Sequence, residues 1–179
     1  ELQGFMNADV NKQQTGRPLL ISTPKASLIV LGTVLRVGSS ENSTLLTVDE
    51  GSVEIKNNQN QKVIVNTDES TFAKDNSTFE VTSLKEYKVN KLEIISALYG
   101  AEDNWLDLAD HIRLRAGNYR LIHCGSFVNL AGDPLVKVVK SLKVEYKIDG
   151  KKGSIVINEY KSDLVDSANF RTEFILPSL

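Results

Sequence analysis

Ser141-Leu142-Lys143-Val144-Glu145-Tyr146-Lys147-Ile148 alternates apolar and polar side chains along its whole length. Successive side chains of a strand leave opposite faces, so Leu142, Val144, Tyr146 and Ile148 share one face and Lys143, Glu145 and Lys147 the other. The first face belongs in a core and the second in water. Asp149-Gly150 follows at once, a dipeptide that accepts the positive φ angles of a two-residue hairpin turn. The chain should therefore double back through Gly153 to Asn158, with Ile155 and Ile157 together on one side.

The segments on either side extend this pattern. Leu92 to Leu98 reads as a strand ended by Tyr99-Gly100-Ala101. Asp110, ahead of His111-Ile112-Arg113-Leu114-Arg115 and Gly117-Asn118, reads as the cap of one short helix stopped by glycine. Tyr119 to His123, Ser126 to Leu130 and Phe174-Ile175-Leu176 are further strand candidates. Farther back, Ser27 to Val37, Thr44 to Val48, Ser52 to Lys56, Lys62 to Asn66 and Thr78 to Thr82 are rich in Val, Ile and Thr and separated by turn-forming residues. Asp49-Glu50-Gly51 is a hairpin signal between two of them. Residues 1–18 are polar, closed by Pro18, and read as a linker or tail. The predicted fold is all-β: two small antiparallel β modules, one roll- or jelly-roll-like over 19–88, the other a β sandwich with one short helix over 89–179.

Composition removes several functions. Twenty-one Lys plus Arg against 23 Asp plus Glu leave a net charge of −2, without the clustered positive charge from which nucleic-acid binding draws its affinity. Nucleic acid is not an expected partner. The longest apolar run, Leu28 to Leu35 with Gly32 and Thr33 inside it, meets Arg36 well short of the roughly 20 residues a spanning helix needs, so no transmembrane segment is expected. Cys124, the one cysteine, cannot form an internal disulfide. The opening Glu1-Leu2-Gln3-Gly4-Phe5 has neither the basic nor the apolar region of a signal peptide, as expected of an excised or processed segment.

Two stretches resemble known families. Thr23-Pro24-Lys25-Ala26, Leu31-Gly32-Thr33, the strand Leu45-Leu46-Thr47-Val48, Glu50-Gly51-Ser52-Val53-Glu54-Ile55 and Val63-Ile64-Val65-Asn66-Thr67-Asp68-Glu69 follow one another as in the FecR domain, over about residues 19–75. FecR domains are extracytoplasmic β modules of periplasmic regulators, so the resemblance implies a periplasmic or cell-surface compartment and a protein partner. The regulators' cytoplasmic helical segment and membrane helix have no counterpart here, so their iron signal is not implied. Ala97-Leu98-Tyr99-Gly100-Ala101, Trp105 to Arg113, Gly132-Asp133-Pro134 and Lys140 to Gly150 are similar to the C-terminal β domain of a mitochondrial J-domain protein and to segments of planctomycete-like bacterial surface proteins, over about residues 92–160. That pattern implies no catalytic residue.

The candidate ligand-binding residues are Trp105, Tyr99, Asp103, Asp107 and Tyr119, because aromatic faces beside carboxylates are what sugar rings stack upon; the competing reading makes the tryptophan a core anchor. Glu102, Asp103, Asp107 and Asp110 offer hard oxygens, but their spacing fits no EF-hand, and helix capping explains them better. His111, His123 and Cys124 form no nucleophilic arrangement, since His123 and Cys124 are strand neighbours pointing to opposite faces. Gly32 and Gly38 lack the Lys-Ser/Thr of a phosphate loop. Asn42-Ser43-Thr44 and Asn76-Ser77-Thr78 match the glycosylation acceptor pattern by chance in a chain rich in Asn and Ser. No catalytic residue, metal site or cofactor is expected. The predicted function is a non-catalytic extracytoplasmic interaction module of a bacterial surface or periplasmic protein, binding a protein or cell-envelope partner through sheet edges and loops. The alternative is an accessory carbohydrate-binding module of a larger surface hydrolase, with a polysaccharide as ligand. A carboxylate-based glycosidase ranks third.

Overall fold

Strand alternation organises the residues that the computed structural model describes, 1–14, 16–123, 134, 138–158 and 173–179. The fold is all-β. Every strand pairing among the described residues is antiparallel, and one short α-helix accompanies them. The chain divides into two compact units, Glu1–Glu86 and Tyr87–Leu179.

In the first unit the strands are β1 (Gly4–Val10), β2 (Leu19–Ser22), β3 (Ala26–Val30), β4 (Thr33–Ser39), β5 (Ser43–Glu50), β6 (Ser52–Asn57), β7 (Lys62–Asn66), β8 (Glu69–Lys74) and β9 (Val81–Ser83). They form a five-stranded sheet ordered β1-β4-β5-β8-β9 and a four-stranded sheet ordered β2-β3-β6-β7. Leu28 and Val30 from β3, Leu35 and Val37 from β4, Leu46 and Val48 from β5, Val53 and Ile55 from β6 and Val65 from β7 are wholly buried in one core. Each such side chain contributes about 1.5–3 kcal/mol by leaving water.

Three expectations are corrected here. Residues 1–18 are not only a tail: β1 pairs with β4 over seven positions, from Gly4 opposite Ser39 to Val10 opposite Thr33. Met6, Ala8 and Val10 pack on the core, an alternation masked in the sequence by the polar Asn7 and Asp9 between them. The run Ser27 to Val37 is two strands rather than one, β3 in the four-stranded sheet and β4 in the five-stranded sheet, with the break at Leu31-Gly32, where Gly32 takes φ 148° and a Cβ would lie 2.8 Å from the Cα of Lys12. Beyond β7 the chain turns through Asp68, at φ 62°, into β8, a strand not anticipated because Ser70 and Thr71, both buried, carry no apolar pattern.

In the second unit β10 (Leu92–Ala101), β11 (Asn104–Asp107), β13 (Ser141–Ile148) and β14 (Lys151–Asn158) form a sheet ordered β11-β10-β13-β14. Its inner face carries Ala97, Tyr99, Leu142, Val144 and Tyr146, packed with Ile112 of helix α1 (Ala109–Ala116) and with Ile122 and Phe174. The last two come from a two-stranded ribbon, β12 (Leu121–His123) against β15 (Glu173–Ile175). Tyr99-Gly100-Ala101 does not end β10. The strand runs through them and turns at Glu102-Asp103 into β11, which sets Gly100 opposite Trp105. The helix cap also differs from expectation: the N-cap position is Leu108, which makes no side-chain cap bond; the Asp107 carboxylate just before it accepts the Ala109 N–H at 2.8 Å, and Asp110 lies inside the first turn and pairs with Arg113 at 2.7 Å. The expected strand at Ser126 to Leu130, and Cys124, lie outside the described residues.

Candidate functional site

The residues that carry the FecR resemblance meet at turns. Thr23 Oγ1 accepts the Ala26 N–H at 2.9 Å and lies 2.7 Å from Thr44 Oγ1, tying the β2–β3 turn to β5. Thr33 Oγ1 donates to the Ser52 carbonyl at 3.0 Å. Beside it Gly51 takes φ 89°, and a Cβ there would lie 2.9 Å from the Gly32 carbonyl oxygen. Thr67 Oγ1 accepts the Gly51 N–H at 2.9 Å. These threonines and glycines close backbone corners, a structural task that leaves little polar capacity for a ligand.

The five candidate ligand-binding residues do not form one surface. Tyr99 and Tyr119 are buried, at 0% and 2% exposure, so neither presents a face on which a sugar could stack. Trp105 and Asp107 share the outer face of β11, and Asp103 sits exposed in the turn before it. The Trp105 indole is half-buried: its Nε1–H donates to the Glu102 carbonyl at 2.7 Å, and the Lys143 ammonium lies 3.8 Å from its ring centroid. A cation on the π face and a donor already engaged leave less of this ring for a carbohydrate. The Asp107 carboxylate is taken up by the Ala109 N–H as described. Among the described residues no group of three or more His, Cys, Asp or Glu side chains is placed to hold a metal ion, and no helix is long and apolar enough to cross a membrane.

The two edges of the second unit's sheet contrast. On one side β11 covers only Leu98–Ala101 of β10, and the exposed backbone beyond it is engaged otherwise. The Ala97 carbonyl accepts the Leu108 N–H at 2.7 Å. Arg113 reaches from α1 to donate Nε to the Ile94 carbonyl at 2.9 Å and Nη2 to that of Ile95 at 3.1 Å, across a bulge in β10. The Leu92 N–H donates to Asn118 Oδ1 at 3.3 Å. Side chains and loops thus seal this edge against another strand.

On the other side β14 pairs only with β13 among the described residues. Asp149 and Gly150 take φ 49° and 86°, the type I′ turn that the sequence indicates, and Ile148 faces Lys151 across it. In such a two-residue hairpin the flanking pair exchanges both backbone hydrogen bonds, and bonded and non-bonded pairs then alternate. Lys151, Gly153, Ile155 and Ile157 therefore bond to β13, while Lys152, Ser154, Val156 and Asn158 direct their N–H and C=O groups outward. Lys152, Ser154 and Val156 are exposed, Val156 by 60%. A shallow depression lined by Ile95, Glu145, Lys152, Gly153 and Ser154 opens beside them. Sequence analysis named sheet edges in general but not these residues; the turn type with the alternation was the signal that singles them out.

In the first unit, Leu2 N–H donates to the Ser22 carbonyl and Gln13 N–H to that of Leu31, at 2.7 and 2.6 Å. Both ends of the N-terminal segment thus bond across to the second sheet or its turn. The strands β7 and β9 are five and three residues long, against eight for β14.

No family model matches the chain, and no curated protein matches it. Two crystal structures of a "putative anti-sigma factor" from Parabacteroides distasonis ATCC 8503 are similar to part of it, each at 19% identity over 45% of this chain, with TM-scores of 0.41 and 0.40. The match spans 38% and 39% of those chains.

Proposed function

We propose that this chain is a non-catalytic, extracytoplasmic interaction module of a bacterial surface or periplasmic protein, and that it binds an extended segment of a protein partner as an added strand on β14. The observation that carries the reading is the contrast between the edges: one is engaged by Arg113, Leu108 and Asn118, whereas the other offers four outward backbone positions in a row. An added strand would gain main-chain hydrogen bonds from them, and the adjoining depression would receive one of its side chains. The compartment rests on the FecR resemblance of residues 19–75.

Proline substitution tests the edge. Ser154→Pro removes an outward N–H and no bond to β13, whereas Ile155→Pro removes a bond within the sheet. Capture of an envelope protein by the wild-type chain, its loss with Ser154→Pro, and an unchanged unfolding transition of that variant are expected. Undiminished capture by folded Ser154→Pro would overturn the reading. A periplasmic reporter fused to the parent protein at this segment checks the compartment; reporter activity confined to the cytoplasm would refute it.

A further inference from the structure

Resting on that reading, we infer that the strand received by β14 is acidic, placing a carboxylate opposite Lys152 and an apolar side chain opposite Val156. On the outer face of the sheet Lys152 has Lys147 directly across from it on β13. Like charges so placed repel. Lys147 is engaged by Glu93, at 3.6 Å, and Glu93 is shared with Lys91. Lys151 and Lys152, both exposed, have no carboxylate within ion-pair distance among the described residues. Glu145, opposite Ser154 and in the same depression, forms no ion pair with Lys152 and lies on the β13 side of it, so the place beside Lys152 on the open side is one where a negative charge is attracted and a positive one repelled.

Two positions farther along the same face the requirement changes. Val156 exposes 60% of its surface and lies across from Lys143, whose ammonium is turned away onto Trp105. An apolar side chain on the incoming strand would cover it. In an antiparallel partner the pattern is apolar, three residues, acidic; in a parallel one the order is reversed. A second copy of this chain does not meet it. Two β14 strands joined antiparallel about Ser154 set each Lys152 against Val156, and joined in parallel they set Lys152 against Lys152. Lysines on an edge deter such self-pairing, and here the same side chain selects a partner of opposite sign.

A library of heptapeptides displayed on phage, panned against the whole chain at low ionic strength, reads the preference. Enrichment of Asp or Glu four positions from an apolar residue is expected, with its reversal toward Lys or Arg when Lys152→Glu is the bait. For an isolated peptide from the pool, exchanging its acid for Lys should weaken binding by about threefold to fivefold, the size of an exposed charge pair. Most of that difference should vanish in 1 M salt, where the screening length falls to about 3 Å. Enrichment that is indifferent to charge, yet abolished by Ser154→Pro, would overturn the acidic partner and leave the edge reading standing. Failure to enrich any peptide, or enrichment that survives Ser154→Pro, would overturn both.

Discussion

Arg36 on β4 grips Asp49 on β5 with two bonds, Nε to Oδ2 at 3.0 Å and Nη2 to Oδ1 at 2.7 Å. The guanidinium is almost fully buried, with 6% of its side chain exposed, and the carboxylate retains 27%. Arg36 lies opposite Thr47, so Asp49, two residues farther along, is on the same face and within reach. Removing one partner of such a pair leaves a desolvated charge.

Asp49→Ala should therefore lower stability by about 1–3 kcal/mol in urea unfolding. Arg36→Lys, which keeps the charge but loses the planar fork, should cost about 1 kcal/mol. No loss in either variant would mean that the pair is only a surface contact.

Gly51 and Gly150 both take positive φ, 89° and 86°, but Gly150 closes the β13–β14 hairpin, whereas Gly51, expected in a hairpin at Asp49-Glu50-Gly51, joins β5 of one sheet to β6 of the other. A Cβ at Gly51 meets the Gly32 carbonyl oxygen at 2.9 Å, whereas one at Gly150 meets nothing within 4 Å. Gly150→Ala should cost about 1 kcal/mol from backbone strain, and Gly51→Ala about 2 kcal/mol or more. Thermal unfolding of the two variants compares them, and equal losses would refute the corner contact.

Arg113→Ala removes two charged donors from the Ile94 and Ile95 carbonyls and opens that side of β10. A stability loss of about 1–2 kcal/mol is expected for this half-exposed side chain, together with increased self-association in light scattering. A variant that stays monomeric at high concentration would show that the edge has another guard.

Burial raises the Tyr146 phenol above its ordinary 10.0, against the opposing charge of Arg120. Its hydroxyl donates to the Pro177 carbonyl at 3.1 Å. Because the folded value lies above the unfolded one, this contribution is complete below about pH 10 and is lost as pH rises through the raised value. Tyr146→Phe should lessen the alkaline loss of stability. Denaturant titrations at rising pH measure it, and parallel profiles for wild type and variant would contradict the assignment.

Elements whose side chains alternate plainly were legible in the sequence. β13, the Asp149-Gly150 turn and β14 were read correctly because one apolar face and a turn with positive φ reinforce each other. β1 and β8 were hidden because inward positions are small or polar, as at Ala8, Thr71 and Ala73. The helix cap was misplaced because the N-cap residue, Leu108, carries no capping side chain, and of the chemically equivalent Asp107 and Asp110 only the path of β11 decides which one meets the first free N–H. The candidate site fared less well. Aromatic residues announce burial and binding with the same letters, and the register of β10 decides that Tyr99 faces inward while Trp105, opposite Gly100, faces out.

The hairpin at Asp149-Gly150 divides labour along β14. Gly153, Ile155 and Ile157 hold the strand to its neighbour and to the interior, while Lys152, Ser154 and Val156 do neither. Substitutions at the latter three can accumulate with small effect on foldability, so the chemistry of this outer row can drift over generations while the sheet beneath it stays intact.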